Sequence, residues 1–112
     1  MADNADPEVP EGAAVFPLIP AELGVHPLLL AVLHATVFLC GSADTVVDPA
    51  AAAEAEEYFA TYLQRLSGPD LGRVRADLEC LVAFARRAKW PKQEVQFLKS
   101  FLADHGVGES EA

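Results

Sequence analysis

Lysine and arginine are missing from the first 64 residues of this 112-residue chain, and the whole sequence holds two cysteines, one tryptophan and no apolar run of membrane length. Each scarcity excludes something. Two thiols, Cys40 and Cys80, are too few for the disulfide framework of a small secreted scaffold. Both fall inside apolar helical patterns, where a free thiol behaves as a small hydrophobe, so both are expected as reduced core residues. The N-terminus, MADNADPEVPEG, carries acids where a signal peptide carries bases, so a cytoplasmic protein is expected. With 17 acidic and 8 basic residues the net charge is −9, which repels phosphate backbones and anionic membranes.

The most hydrophobic stretch is HPLLLAVLHATVFLC, residues 26–40. A bilayer span needs about 20 apolar residues. This run from Pro27 to Cys40 reaches only about 21 Å at the helical rise, His34 interrupts it, and no base anchors either end. It is expected as a helix apolar on all sides at the centre of a bundle. Pro27 suits its first position, and Gly41 and Ser42 supply the stop.

What is present elsewhere is helical. Asp48-Pro49 announces a second helix to about Leu66, with Ala52, Ala55, Phe59, Tyr62, Leu63 and Leu66 at three-and-four spacing. Ser67-Gly68-Pro69-Asp70 starts a third, over about 69–89, with Leu71, Val74, Leu78, Leu81, Val82, Ala85 and Ala88 inward. Trp90-Pro91 ends it, since the residue before proline is pushed out of helical geometry. Pro91 opens a fourth, with Val95, Leu98, Phe101 and Leu102 inward, and Gly106 closes it. No alternating β pattern, repeat or glycine-rich loop interrupts this series. The expectation is an all-α fold, a small four-helix bundle with an extended, proline-rich, acidic N-terminal arm. The arm spans 1–20 and is partly disordered, the bundle 21–106, and a disordered tail 107–112. Within the arm, Val15-Phe16-Pro17-Leu18-Ile19 is apolar enough to lie across the bundle.

Catalytic chemistry finds no support. No nucleophile elbow or Walker loop occurs, the serines Ser42, Ser67 and Ser110 fall at helix ends or in the tail, and neither cysteine has a histidine close in sequence. No enzyme activity, cofactor or metal is therefore expected. His26 and His34 are eight residues apart, about 12 Å along a helix, whereas zinc ligands lie about 2 Å from the ion. His26 is read as a helix-start cap and His34 as a buried polar residue with a hydrogen bond in the core or an interface. Glu54, Glu56 and Glu57 are read as carboxylates stabilised by the helix dipole.

The charges are polarised. Asp3, Asp6, Glu8, Glu11 and Glu22 precede Asp44, Asp48, Glu54, Glu56 and Glu57, while every base lies between Arg65 and Lys99. The densest basic stretch, RRAKWPK at 86–92, joins Arg86, Arg87, Lys89 and Lys92 to Trp90. Arg and Trp dominate interface energetics, so these five residues are the candidate partner-binding patch. A fold-back of the acidic arm onto them is the internal alternative.

Residues 90–106, WPKQEVQFLKSFLADHG, resemble the first helix of a Myb or SANT repeat, with Trp90, Glu94, Leu98, Leu102, His105 and Gly106 at similar spacing. That resemblance implies two further helices, one reading DNA, for which the sequence after Gly106 holds no counterpart. The segment is taken as a capped amphipathic helix, and no family is assigned to the whole chain. The functional expectation is a non-catalytic helical module for protein–protein interaction or self-association, a homodimer included, with no nucleic-acid or membrane partner. Two alternatives stand beside it: an acidic, immunity-like inhibitor masking a basic partner, and a small-ligand or metal site near His34.

Overall fold

The computed structural model describes residues 11–107, and among these it is all-helical with no strand. Four helices follow a short 3-10 turn at Ala21–Leu23: α1 Pro27–Gly41, α2 Pro49–Leu63, α3 Gly68–Arg87 and α4 Lys92–Asp104. The expected four-helix fold is present. The proposed disorder of the first residues and of the tail concerns 1–10 and 108–112, which lie outside the described residues.

Each helix begins with local chemistry visible in the sequence. His26 caps α1, its Nδ1 accepting from Leu28 N–H at 3.1 Å. Asp48 caps α2, its carboxylate accepting from Ala51 N–H at 3.0 Å ahead of Pro49. Pro91 is the N-cap of α4 rather than its first helical residue; its carbonyl accepts from Glu94 and Val95 N–H.

The ends differ more from expectation. α2 stops at Leu63 instead of Leu66, because Arg65 and Leu66 bond to carbonyls three residues back and tighten the chain before Ser67. α3 stops at Arg87, two residues early, and its terminator is not proline geometry alone. Trp90 N–H bonds to Ala85 O at 3.0 Å and Lys89 N–H to Arg86 O at 3.1 Å, the paired bonds of a Schellman motif. That motif needs a left-handed residue, and Lys89 supplies it at φ 61°. α4 ends in the same motif with the usual residue: Gly106 has φ 74°, Val107 N–H bonds to Leu102 O, and Gly106 N–H to Ala103 O.

Helix α1 packs chiefly on α2, and α3 on α4. The core is built by three helices and the arm: Val25, Leu29 and Leu33 around α1, Leu78, Leu81 and Ala85 from α3, Leu98 and Phe101 from α4, with Phe16 and Ile19 from the arm. Phe16 and Ile19 face inward at a three-residue spacing while Leu18 between them is exposed, the period of polyproline geometry; Pro20 at φ −64°, ψ 140° has that geometry. The arm is tied to the end of α1 by Ala43 N–H to Gly12 O and Ala14 N–H to Ser42 Oγ, both 2.8 Å. Gly41 permits this approach, since a Cβ there would stand 3.0 Å from that of Ala14.

Three expectations about burial are corrected. Helix α1 is not enclosed on all sides: Leu29, Leu33 and Thr36 are buried, whereas Leu28 is 71% and Phe38 39% exposed. The reason lies in α2, which buries only Ala52 and therefore covers only part of α1. In α2 itself Tyr62 points outward under the Arg65 guanidinium, 4.8 Å from its ring centroid, and Glu56 takes an inward position instead. Ala88, expected inward on α3, is exposed.

Candidate functional site

Three of the five residues of the basic stretch line one cleft. Arg86, Trp90 and Lys92 line a shallow cleft of about 420 Å³, together with Lys99 one turn and more along α4. Arg87 and Lys89 are exposed but do not line it, and Lys89 serves as the left-handed terminator of α3. Trp90 is half-buried for a structural reason: its ring meets Phe16 edge-on at 5.5 Å and Phe84 at 5.9 Å. The stretch is contiguous in the chain, and the left-handed turn at Lys89 falls in its middle.

His34 packs against the arm. Its ring stands edge-on to Phe16 at 5.1 Å, and the hydrogen bond expected of it is replaced by this aromatic contact. Among the described residues no group of three or more His, Cys, Asp or Glu side chains is placed to hold a metal ion. Among the same described residues no helix is long and apolar enough to cross a membrane.

The cysteines are both free, but Cys40 is exposed at the end of α1 rather than in the core, and Cys80 is half-buried with its thiol directed at Leu23 O. Burial pushes the Cys40 thiol above its ordinary pKa, and the nearby Glu56 carboxylate pushes it further. A thiol held in this form is a poor nucleophile near neutral pH.

Two polar arrangements escaped the sequence reading because each joins residues far apart in the chain. The first holds the entrance to α1. Asp77, buried on α3, accepts from Arg73 Nε at 3.0 Å and from the His26 backbone N–H at 3.0 Å, while Arg73 Nη2 donates to Gly24 O. One charged pair thus satisfies the backbone on both sides of the turn into α1.

The second joins α2 to α4. His105 Nδ1 lies 2.8 Å from Phe101 O and Nε2 2.9 Å from Glu56 Oε1. A carbonyl only accepts, so Nδ1 faces Phe101 O as a donor, and Nε2 is left to pair with the Glu56 carboxyl. Gln64 Nε2 donates to His105 O at 2.9 Å, so both ends of His105 tie α2 to the end of α4. Beside this pair a cleft of about 530 Å³ opens between α1, α2 and α4, lined in part by Thr36, Cys40, Glu56, Phe97, Phe101 and His105. The signal that could have found it is the presence of Glu56 on the inward stripe of α2, one turn after Ala52.

An apolar surface remains on the open face of α1. Leu28, Ala31, Ala35 and Phe38 recur at three, four and three residues and therefore share one stripe. Leu28, Ala31 and Phe38 are exposed and Ala35 is half-buried. The helix contains no Asp, Glu, Lys or Arg. Comparison with protein-family models, curated proteins and solved structures gives no match, so the functional reading rests on this geometry.

Proposed function

We propose that the chain is a non-catalytic helical association module of the cytoplasm, that its binding surface is the open face of α1, and that its partner is a second copy of itself. The observation that carries the proposal is the exposed stripe Leu28-Ala31-Ala35-Phe38 on a helix without charged side chains. A surface that leaves Leu28 at 71% and Phe38 at 39% exposure invites burial against another apolar face.

The stripe is self-complementary about its centre. In an antiparallel pair with the twofold axis beside Leu33, Leu28 meets the partner's Phe38 and Ala31 meets the partner's Ala35. Small residues at the centre let the two backbones approach, and large ones fill the ends. Antiparallel alignment also sets the positive end of each helix dipole against the negative end of the other. The helix itself brings no Asp, Glu, Lys or Arg to the contact, and the Asp70 and Arg73 side chains of α3 flank it at the Leu28 end. Closed twofold pairing is the commonest form of self-association. A helix of 15 residues is about 22 Å long, which limits the buried area and makes the dimer concentration-dependent. The two free thiols are in keeping with a reducing compartment.

The register is tested by crosslinking in a Cys40→Ser, Cys80→Ala background. Mixing Ala31→Cys with Ala35→Cys protein under mild oxidation gives a mixed disulfide dimer, whereas either variant alone crosslinks slowly. Equal crosslinking in all three samples, or none, overturns the register.

A further inference from the structure

We propose that the cleft between α1, α2 and α4 binds a small organic cation, a primary ammonium group carried on an apolar body. The proposal starts from two hydrogen bonds that the fold leaves unmade. Thr36 is only 5% exposed, yet its Oγ1 has no hydrogen-bond partner. A helical threonine ordinarily returns its hydroxyl to the carbonyl one turn back, as Thr61 does to Glu57 O at 2.8 Å; Thr36 does not. Glu56 gives Oε1 to His105, while its buried Oε2 has no partner at ordinary hydrogen-bond distance, the nearby Cys40 thiol being a weak donor to the same carboxylate. Buried polar atoms are satisfied in the great majority of folds, so two orphans beside one cleft point to a donor that completes both.

The surroundings define that donor. Glu56, Glu57 and Asp104 line the cleft, and its one basic side chain, His105, is committed through Nδ1 to Phe101 O and through Nε2 to Glu56. An anion therefore finds no free cationic partner there. An ammonium group has three donors and no acceptor, which suits Glu56 Oε2 and Thr36 Oγ1 together. The remainder of the wall is apolar: Phe97 and Phe101 meet edge-on at 5.8 Å, and Ala53 and Ala60 on α2 leave room opposite them. Aromatic faces favour a cation and its hydrocarbon body alike. A volume of about 530 Å³ falls within the range of small-molecule sites. Because both orphan oxygens are sealed from solvent, a small side-chain rotation at the cleft floor accompanies entry. This site is independent of the outer stripe of α1, so it stands or falls apart from self-association.

The test is a methyl and imidazole NMR titration of the intact protein with three probes of similar shape: 2-phenylethylammonium, 2-phenylethanol and 3-phenylpropionate. The ammonium probe is expected to shift the Ala53, Ala60 and His105 signals saturably, the alcohol to bind about tenfold more weakly, as expected for loss of a charge-assisted hydrogen bond, and the carboxylate not to bind. Glu56→Gln and Thr36→Val, which keep shape, each weaken the ammonium probe. Indistinguishable shifts from all three probes overturn the proposal, as does absence of saturation by about 10 mM, a level beyond any specific small-molecule affinity of use. The comparison of probes on the unaltered protein decides the matter even if one variant fails to fold.

Discussion

Lys89 occupies a backbone position that a lysine rarely holds. A left-handed conformation costs a residue with a Cβ about 1–2 kcal/mol, which glycine avoids at about 0.5–1 kcal/mol in unfolded-chain entropy. Lys89→Gly is therefore expected to stabilise the fold by up to about 1 kcal/mol, raising Tm by about 4 °C for a chain of this size; a lower Tm would show that the lysine side chain contributes more than its backbone strain costs. Cys40 gives a second residue-scale expectation. Its thiol is raised first by burial and then by Glu56, so thiolate forms only as pH climbs past the ordinary thiol range. Glu56→Gln removes one cause, and iodoacetamide should then label Cys40 faster at the same mildly alkaline pH. The sign for folding follows: an acid with a raised folded pKa contributes stability that is full below its unfolded pKa and fades as pH rises through the folded one.

At the scale of elements, the N-terminal arm is a fifth structural piece. Phe16 touches His34, Trp90 and Phe97 edge-on and is 2% exposed. Phe16→Ala is expected to cost about 3–5 kcal/mol, the range for a buried aromatic, and to shift the emission of Trp90, the only tryptophan, to the red; unchanged emission and Tm would mean the arm does not seat there. The helices themselves were legible because caps and periodicity are local: His26, Asp48 with Pro49, and Gly106 all act within a turn or two of their own position. Helix ends were less so, since Lys89 carries no sign of left-handed geometry that a sequence could show. The Glu56–His105 contact left only the faint signal of a carboxylate on the inward stripe of α2, and the Asp77–His26 contact left none. Each spans about fifty residues, and inward-facing Glu56 and Asp77 look in sequence like ordinary carboxylates of a solvated face. The basic stretch shows the opposite case: it is contiguous in the chain, yet only Arg86, Trp90 and Lys92 of its five residues line one cleft.

Across the whole molecule, the apolar excess that the composition announces is distributed unevenly. Three helices and the arm consume most of it in one core, α2 contributes alanines and a polar latch to His105, and α1 is left with a face uncovered. Helix α1 carries no Asp, Glu, Lys or Arg of its own, and Asp70 and Arg73 from α3 line the cleft beside its Leu28 end, so charge governs solubility and approach while the neutral stripe governs contact. The same reasoning explains why an all-apolar helix need not be central: enclosure requires neighbours on every side, and a bundle of four short helices supplies them on one. Sedimentation velocity across a concentration series tests this most directly. The native chain is expected to pass from monomer to dimer as concentration rises, and Phe38→Glu, which places a charge on the stripe without touching the core, is expected to stay monomeric with an unchanged helical spectrum. A native chain that remains monomeric at millimolar concentration, or a Phe38→Glu variant that dimerises as well as the native one, contradicts the account.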